Sequence, residues 1–313
     1  MQSLNQQIAL EHRALHNKTL LAGLAPTHDI NENFAIPNEF LRCALFGIKQ
    51  TNKGLAPLSK FTYRLQAPLR SSITYTGPVL TQAHLQVLGT VIGKCQAGND
   101  LTISTSSLAV DAGLGDTPAA KQNLDAILLD LFNADLTIES ADRVQLKKGV
   151  VLDGSIKLRL LSKLVPVLIE RGSKQVKGFI LELPTDIAKL FGGNKYTLLS
   201  RDVLSKLRLN DGLARWLANF YSSHKEPQPI ALSQIHHLTG SDASIKEFKR
   251  LVSRSLQQLV EVGFLIDYSV TDGIVNVQRN NRAAVFNDWR TTMKAEELFD
   301  EYEKESRFDD LND

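Results

Sequence analysis

Apolar and polar positions along the chain predict one order of helices and strands, and this order occurs twice. In the first copy, apolar residues at helical spacing predict two main helices, and the segments after them are rich in β-formers. Its predicted elements are a strand at 73–75, a helix at 81–94, a strand at 101–103, a brief helix capped by Ser106, a helix at 117–132, and β-rich segments at 136–145 and 150–161.

The second copy has the same order with a clearer end. Its predicted elements are a helix at 201–223, a strand at 229–231, a brief helix at 233–238, a long helix at 243–262, and strands at 264–270 and 274–279. Thr271-Asp272-Gly273 separates the last two strands, which is a strong hairpin signal.

The two copies share a register at an offset of 127 residues without a gap. The matched pairs are Ile103 with Ile230, Ser106 with Ser233, Leu108 with Ile235, Gly113 with Gly240, Leu124 with Leu251, Leu129 with Leu256, Phe132 with Leu259, and Ile138 with Leu265. Helix, strand, helix, helix and hairpin is the order of a winged helix, whose third helix enters the major groove of DNA.

The sequence therefore predicts an α+β protein of two tandem winged-helix domains with an extension at each end. We expect an N-terminal helix and linker over 1–35, the first domain over 36–183, the second over 184–282, and an acidic tail over 283–313. Residues 296–313 hold nine acidic and two basic residues, although the whole chain has a net charge of +2. A basic body favours a nucleic-acid partner, and an ordinary basic protein fits the charge equally well.

Composition narrows the class of protein further. Hydrophobic residues make up 43% of the 313 residues, which is enough for a sizeable core. Cys43 and Cys95 lack metal-ligand spacing, so we expect neither disulfides nor zinc to build the fold. Residues 1–10 lack the layout of a signal peptide, and no apolar run is long enough to span a bilayer. These features predict a cytoplasmic protein.

The helix predicted over 243–262 carries the sharpest candidate for DNA binding. Its apolar stripe consists of Ile245, Phe248, Leu251, Val252, Leu256 and Leu259. Its opposite face carries Lys246, Lys249, Arg250, Ser253, Arg254 and Gln257. A groove-reading helix needs one packed face and one with cations and forked donors, whereas the alternative is the solvated face of a surface helix. Arg279 and Arg282 are further candidates for DNA binding. The interpretation that they are two ordinary surface cations fits the sequence equally well.

The matching helix of the first copy offers fewer cations. At the offset of 127, the four cations of the second copy correspond to Ala119, Gln122, Asn123 and Ile127. Lys121 is the basic residue of this helix, and Gln122 and Asn123 are types that can pair with adenine, although both are common on helix surfaces. The positive charge of this copy lies on its β-rich segments, where Lys147 and Lys148 are candidates.

Three candidate sites for bond chemistry are each incomplete. Residues 89–94 are one residue short of a phosphate-binding loop. Tyr221 and Lys225 have the spacing of a nicking tyrosine and its lysine. The adjacent His236 and His237 point about 100° apart on a helix, which suits a metal pair poorly. We therefore expect no enzymatic activity, no cofactor and no metal.

Five short stretches follow one another in a recognisable order. They are Pro37-Asn38 with Arg42, Ala44, Leu45 and Phe46; Ile73-Thr74-Tyr75-Thr76-Gly77; Leu190-Phe191-Gly192-Gly193; Tyr221-Ser222-Ser223-His224 with Pro227, Pro229, Gly240 and Ser241; and the hairpin from Asp272 to Arg279. Together they resemble the TrfA-like family of plasmid replication initiators, over about residues 36–282.

The resemblance implies a protein that binds direct repeats, called iterons, in double-stranded DNA at a plasmid origin. It also implies that the protein helps to open the origin, recruits the host initiator DnaA and the replicative helicase, binds DNA as a monomer and dimerises off it. Family members contact the sliding clamp through a short motif, for which residues 6–10 are the nearest match, although an amphipathic helix explains them too. A winged-helix transcription regulator and a nicking replication enzyme are the alternative functions.

Overall fold

The computed structural model describes residues 33–48, 59–64, 71–95, 98–140, 144–147, 150–152, 155–194 and 196–280. Several predictions lie outside the described residues: the helix over 2–22, the clamp segment at 6–10, Lys148, Arg282 and the acidic tail. Helices and strands are mixed along the described chain, so the protein belongs to the α+β class, as predicted.

The first half of the chain, residues 33–200, contains most of the strands. Its elements begin with β1 (Asn33–Pro37), α1 (Asn38–Leu41), β2 (Phe46–Gly47), β3 (Ser59–Arg64), β4 (Ser71–Gly77), β5 (Leu80–Thr81), α2 (Gln82–Lys94) and β6 (Asp100–Ser104). They continue with α3 (Thr105–Asp111), α4 (Pro118–Phe132), β7 (Asp135–Ser140), β8 (Val144–Lys147), β9 (Val150–Leu152) and β10 (Ser155–Arg159). They end with β11 (Lys163–Arg171), β12 (Lys174–Glu182), a 3-10 helix (Thr185–Asn194) and β13 (Tyr196–Ser200).

Two larger antiparallel sheets organise the first half. One has the strand order β10–β7–β4–β3 and the other has the order β11–β12–β6. β1 pairs with β13, which joins the beginning of the first half to its end. β2 pairs with β5 in parallel, and β8 pairs with β9. The helices α2 and α4 pack against each other, and Leu88 and Leu128 are completely buried between the layers.

The second half, residues 201–280, is smaller and has its own hydrophobic core. Its elements are α5 (Arg201–Lys206), α6 (Gly212–Ser222), β14 (Ile230–Ala231), α7 (Leu232–Thr239), α8 (Ile245–Glu261), β15 (Leu265–Thr271) and β16 (Ile274–Arg279). The strands form a sheet in the order β14–β16–β15. Trp216, Phe248 and Val275 are buried where α6, α8 and this sheet meet.

Capping side chains define where the main helices begin. The Thr117 hydroxyl accepts a hydrogen bond of 3.1 Å from the Ala120 amide at the start of α4. The Ser104 hydroxyl accepts one of 3.3 Å from the Ser107 amide at the start of α3. The prediction that Ser106 caps this brief helix is therefore wrong, because Ser106 lies within its first turn.

The helix predicted over 201–223 is broken into α5 and α6. Residues 207–211 separate the two helices, and they end in Asn210-Asp211 just before Gly212 opens α6; Asn, Asp and Gly are poor helix formers in water. Arg215 stabilises the break, because its guanidinium donates hydrogen bonds of 2.8 Å and 2.9 Å to the carbonyls of Leu204 and Leu207 at the end of α5. Apolar periodicity alone does not reveal such a break, since α5 and α6 each keep a buried face.

The shared register of the two halves holds through one turn and shifts in the helix that follows. Gly113 and Gly240 both have positive φ angles, of 67° and 65°, at equivalent turns. In the next helix the buried positions match at 128 residues: Ala120 with Phe248, Leu124 with Val252, Ile127 with Ser255, Leu128 with Leu256, and Leu131 with Leu259. The predicted match of Leu129 with Leu256 is wrong, because Leu129 is 53% exposed and Leu256 is fully buried.

The hairpins that follow these helices also correspond differently from the prediction. β7, which contains Ile138, pairs with β4 and β10, whereas β15, which contains Leu265, pairs with β16. The strand of the first half that takes the place of β16 is β12. Phe179 of β12 lies opposite Ile103, as Val275 of β16 lies opposite Ile230. The predicted match of Ile138 with Leu265 is therefore wrong.

This correspondence shows that the first half contains an insertion. Ile103 and Ile230 are 127 positions apart, whereas their strand partners are only 96 apart. The first half thus has 31 additional residues between Ile103 and Phe179, and these include β7 and β10 of the four-stranded sheet. The β11–β12 hairpin is consequently the counterpart of the β15–β16 hairpin.

Polar side chains join the two halves. Asn219 of α6 donates a hydrogen bond of 2.7 Å to the side-chain carbonyl of Gln82 on α2. One turn along both helices, Arg215 donates to the side-chain carbonyl of Gln86. Gln82, Asn219 and Arg215 are almost fully buried. Since hydrogen bonds depend on angle as well as distance, this seam fixes the relative orientation of α2 and α6.

Candidate nucleic-acid interface

Helix α8 is held in place by a buried face. The Ser244 hydroxyl accepts a hydrogen bond of 3.3 Å from the Glu247 amide and caps the helix. Phe248, Val252 and Leu259 are completely buried, and the helix packs against α6, α7 and β15. Ile245, which the sequence assigned to the apolar stripe, is 49% exposed, because it is the first residue of the helix and projects beyond the core.

The outer face of α8 presents the side chains that the sequence singled out. The exposed ones are Lys246, Lys249, Arg250, Arg254 and Gln257, and Ser253 is half-buried. In the described part of the chain, Lys246, Lys249 and Arg254 form no ion pair. Arg250 donates to Glu247 at 2.8 Å, but both side chains are exposed, so this pair stabilises the fold by less than about 1 kcal/mol. Phosphate can replace the carboxylate as the partner of Arg250.

Arg279 does not belong to this surface, which corrects the prediction that it binds DNA. It is 8% exposed and lies at the end of β16. Its guanidinium donates hydrogen bonds to the carbonyls of Tyr221 at 3.1 Å, His224 at 2.9 Å and Lys225 at 3.0 Å. These carbonyls lie in and just after the last turn of α6, where backbone acceptors lack helical partners. Arg279 thus stabilises the junction of α6 and the hairpin.

A second arginine reaches the same helix end from the first half. Arg42 donates to the Ser223 hydroxyl at 2.8 Å and to the Ser223 carbonyl. His224 lies beside both arginines, with its Nδ1 2.8 Å from the Phe220 carbonyl. Burial is the main cause that lowers the pKa of His224 to about 4, and the positive charges of Arg42 and Arg279 lower it further. The sequence stretch around Ser223 is therefore a structural junction.

The outer face of α4 differs from that of α8. Lys121 forms an ion pair of 2.8 Å with Asp116, and Gln122 and Asn123 are exposed. At the offset of 128 residues, Lys121 corresponds to Lys249 and Gln122 to Arg250. The predicted match of Ile127 with Arg254 is wrong, because Ile127 is buried. Lys147 lies in β8, at the end of that strand.

Two of the residues considered for bond chemistry, Tyr221 and His236, have structural roles. Tyr221 is 1% exposed, and burial raises the pKa of its hydroxyl above the ordinary range. The Nε2 atom of His236 lies 2.7 Å from the Ala243 carbonyl, and its ring packs edge-on against Phe248. Among the described residues, no cluster of three or more His, Cys, Asp or Glu could hold a metal ion. None of the helices in those residues combines the length and apolarity needed to cross a membrane.

Comparisons with known proteins found similarities in sequence and in structure. The plasmid replication initiator protein TrfA of Escherichia coli is 28% identical over 113 residues, which cover 36% of this chain and 28% of that protein. A crystal structure of domains 2 and 3 of RctB matches with a TM-score of 0.49 and 12% identity, over 78% of this chain and 98% of that chain. A second structure of RctB domains 2–3 matches with a TM-score of 0.46 and 12% identity, over 74% and 95%. A sequence model of the TrfA protein family matches residues 4–279, and the chain therefore belongs to the TrfA family.

Proposed function

We propose that this chain is a plasmid replication initiator that binds direct repeats at an origin, promotes opening of the origin and recruits host replication proteins. The observation that carries the proposal is the outer face of α8. Its exposed cations stand on a helix whose other face is fixed in the core, so their positions are set before DNA arrives. Membership of the TrfA family supports the choice of an origin over other DNA targets.

Two winged-helix domains are part of this proposal. In the second half, α6, β14, α7, α8 and the β15–β16 hairpin follow one another in the winged-helix order. In the first half, α2, β6, α3, α4 and the β11–β12 hairpin keep this order, with β7 to β10 inserted between α4 and the hairpin. Leu199 packs in the core of the first half and Leu207 in that of the second, which favours a boundary near residue 200 in place of one after 183. Residues 1–35 and 283–313 are extensions in this scheme.

Helix α8 reads the repeat in this scheme. Its cations bind phosphates and guanine edges, and Ser253 and Gln257 supply smaller donors. Lys121, Gln122 and Asn123 of α4 make weaker contacts, because the helix has a single cation and that cation is paired with Asp116. Lys147, Lys148 and Arg282 stay predictions.

The partners and the lack of bond chemistry are also proposals. The chain acts in the cytoplasm, binds double-stranded DNA as a monomer, dimerises off DNA, and delivers DnaA and the replicative helicase to the origin, with the sliding clamp as a further partner.

The chain cleaves no phosphodiester bond, and the burial of Tyr221 supports this, because a nicking tyrosine has to reach the DNA backbone. Incubation of the purified protein with supercoiled plasmid and divalent metal tests this point, and nicking that is lost in Tyr221→Phe contradicts it.

The test of the proposed function is a footprint on the replicon that carries the gene, followed by binding measurements with paired variants. We expect protection of direct repeats over about two helical turns for each monomer, since two unlike heads need no two-fold symmetry in the DNA. Lys249→Ala with Arg250→Ala weakens binding by about tenfold or more, because each arginine–base contact contributes about 1–3 kcal/mol. Gln122→Ala with Asn123→Ala serves as the matched control on α4 and has a mild effect.

Thermal melts accompany both double variants, because all four side chains are exposed and folding should be nearly unchanged. Protection confined to a short inverted repeat that only dimers bind contradicts the initiator proposal and favours a transcription regulator. A larger loss from the Gln122 and Asn123 pair than from the Lys249 and Arg250 pair shows that α8 is not the dominant contact.

A further inference from the structure

The β11–β12 hairpin extends beyond its sheet, whereas its counterpart does not. β12 pairs with β6 only from Gly178 onward, so among the described strands none pairs as a third with residues 174–177 and their partners 168–171. In the second half, β16 pairs with β14 from its first residue, Ile274. Four residue pairs at about 3.4 Å per residue give an arm of about 13 Å. This hairpin arm, residues 168–177, turns at Gly172, where φ is 61°.

The hairpin arm carries exposed positive charge, whereas the one basic residue of the β15–β16 hairpin, Arg279, is buried. Arg171, Lys174 and Lys177 are exposed on the arm, and Glu170 is its single acidic residue. Residues 265–278 contain two aspartates and no lysine or arginine. The two halves therefore divide their cations differently: α8 carries them in the second half and the hairpin carries them in the first.

The arm begins beside the outer face of α4. β11 packs against α4, and Lys177 lies close enough to Asp125 for its charge to oppose the rise in pKa that burial causes in that carboxyl. At the offset of 128 residues, Asp125 corresponds to Ser253 of α8. A carboxylate on this face repels phosphate, whereas three cations on an adjacent arm attract it. In the first half, the arm is thus better suited to DNA than α4 is.

We propose that the hairpin arm of the first half binds the phosphate backbone of the duplex, with Arg171 and Lys174 at its tip as the principal contacts. This inference rests on the proposed function, since it adds a second point of contact to the duplex that α8 reads. The contact is independent of sequence because it uses phosphates alone. It raises the affinity for all duplexes alike and fixes the orientation of the first half on the DNA.

The experiment compares two double variants of the full chain that remove the same charge. Arg171→Gln with Lys174→Gln changes the tip of the arm, and Lys206→Gln with Arg208→Gln changes an exposed Lys and Arg near the end of α5. The probes are a duplex that contains the footprinted repeat and a random-sequence duplex of about four helical turns. Kd is measured for each from about 50 mM to about 200 mM salt.

We expect the arm variant to lose affinity for both probes by the same factor, with melting temperature unchanged. Two lost phosphate contacts lower the slope of log K against log salt by about 1.8, so the deficit relative to wild type shrinks about tenfold across this salt range. The control variant keeps the wild-type slope. An arm variant with wild-type affinity and slope overturns the inference, as does one that alters only self-association.

The same measurements separate this inference from the proposed function. If the wild-type chain does not prefer the repeat over random sequence, the initiator proposal fails. If the wild-type chain prefers the repeat and the arm variant has the same affinity and salt slope as the wild type, only the inference about the arm fails. A selective loss for the repeat probe also overturns it, because a phosphate contact does not discriminate between sequences.

Discussion

Replacement of Arg279 by alanine destabilises the second half and leaves the salt dependence of DNA binding unchanged. The guanidinium of Arg279 bridges three backbone carbonyls at the C-terminal end of α6 and holds the last strand of the hairpin against them. Alanine removes all three hydrogen bonds and leaves the carbonyls of Tyr221, His224 and Lys225 without this donor. Since Arg279 is buried, no phosphate contact is lost with it.

The size of the effect follows from the three hydrogen bonds. A hydrogen bond that involves a charged group contributes about 1.5–3 kcal/mol, and the cost of burying the guanidinium offsets part of the sum. A net loss of about 3–5 kcal/mol in the free energy of unfolding is expected. For a domain of this size, that loss lowers the melting temperature by about 10 °C or more. Lysine at this position restores little, because one ammonium group cannot span three separate carbonyls.

The assay is thermal unfolding followed by circular dichroism, combined with DNA binding at several salt concentrations below the melting temperature. Gln278→Ala is the control, because Gln278 precedes Arg279 on the same strand and is exposed. A melting temperature for Arg279→Ala close to that of the control, together with a flatter salt dependence, refutes the structural role and restores Arg279 as a DNA contact.

Two further predictions concern buried polar groups. The pKa of His224 falls from about 6.5 in the unfolded chain to about 4 in the fold. The neutral imidazole therefore contributes its full stabilisation above about pH 6.5, and up to about 3 kcal/mol of the free energy of unfolding is lost as the pH falls through 4. His224→Gln removes this part of the acid sensitivity in urea unfolding at a series of pH values, and an unchanged pH profile contradicts the prediction. Arg215→Met lowers the free energy of unfolding by about 2–4 kcal/mol, because two buried carbonyls and the half-buried Gln86 side chain lose their donor. Adding Gln86→Met recovers part of that loss in urea unfolding if the two side chains are partners, and purely additive losses show that they are not.

Local sequence signals predict the elements of this chain well. The hairpin at Asp272-Gly273 forms as expected, with positive φ angles of 53° and 75° at its turn. The helix α4 begins at the expected Thr117-Pro118 signal. The charged face of α8 is exposed as expected, because a period of 3.6 residues separates it from the core face. These features depend on residues within one or two turns of one another.

The strand partners and buried charges that the sequence does not reveal depend on contacts outside the local segment. The partner of β6 is β12, more than 70 positions away, and no local pattern distinguishes it from β7. Arg279 lies on the same face of β16 as the buried Val275, and only the approach of α6 supplies the carbonyls that its guanidinium needs there. Likewise, the broken helix before α6 depends on Arg215, whose acceptors lie in the preceding helix.

The two halves match at the buried positions of α4 and α8 and differ at the exposed ones. A structural repeat therefore says little about whether the two halves have the same function. The buried positions of α4 and α8 match one for one, because each must fill the same space between a helix and a sheet. Exposed positions carry no such constraint. Asp125 therefore corresponds to Ser253, and Leu129 is exposed where α8 has Gln257. In the proposed function, a repeated fold thus supplies two places for DNA, and the exposed charges on α8 and on the hairpin arm decide how each place is used.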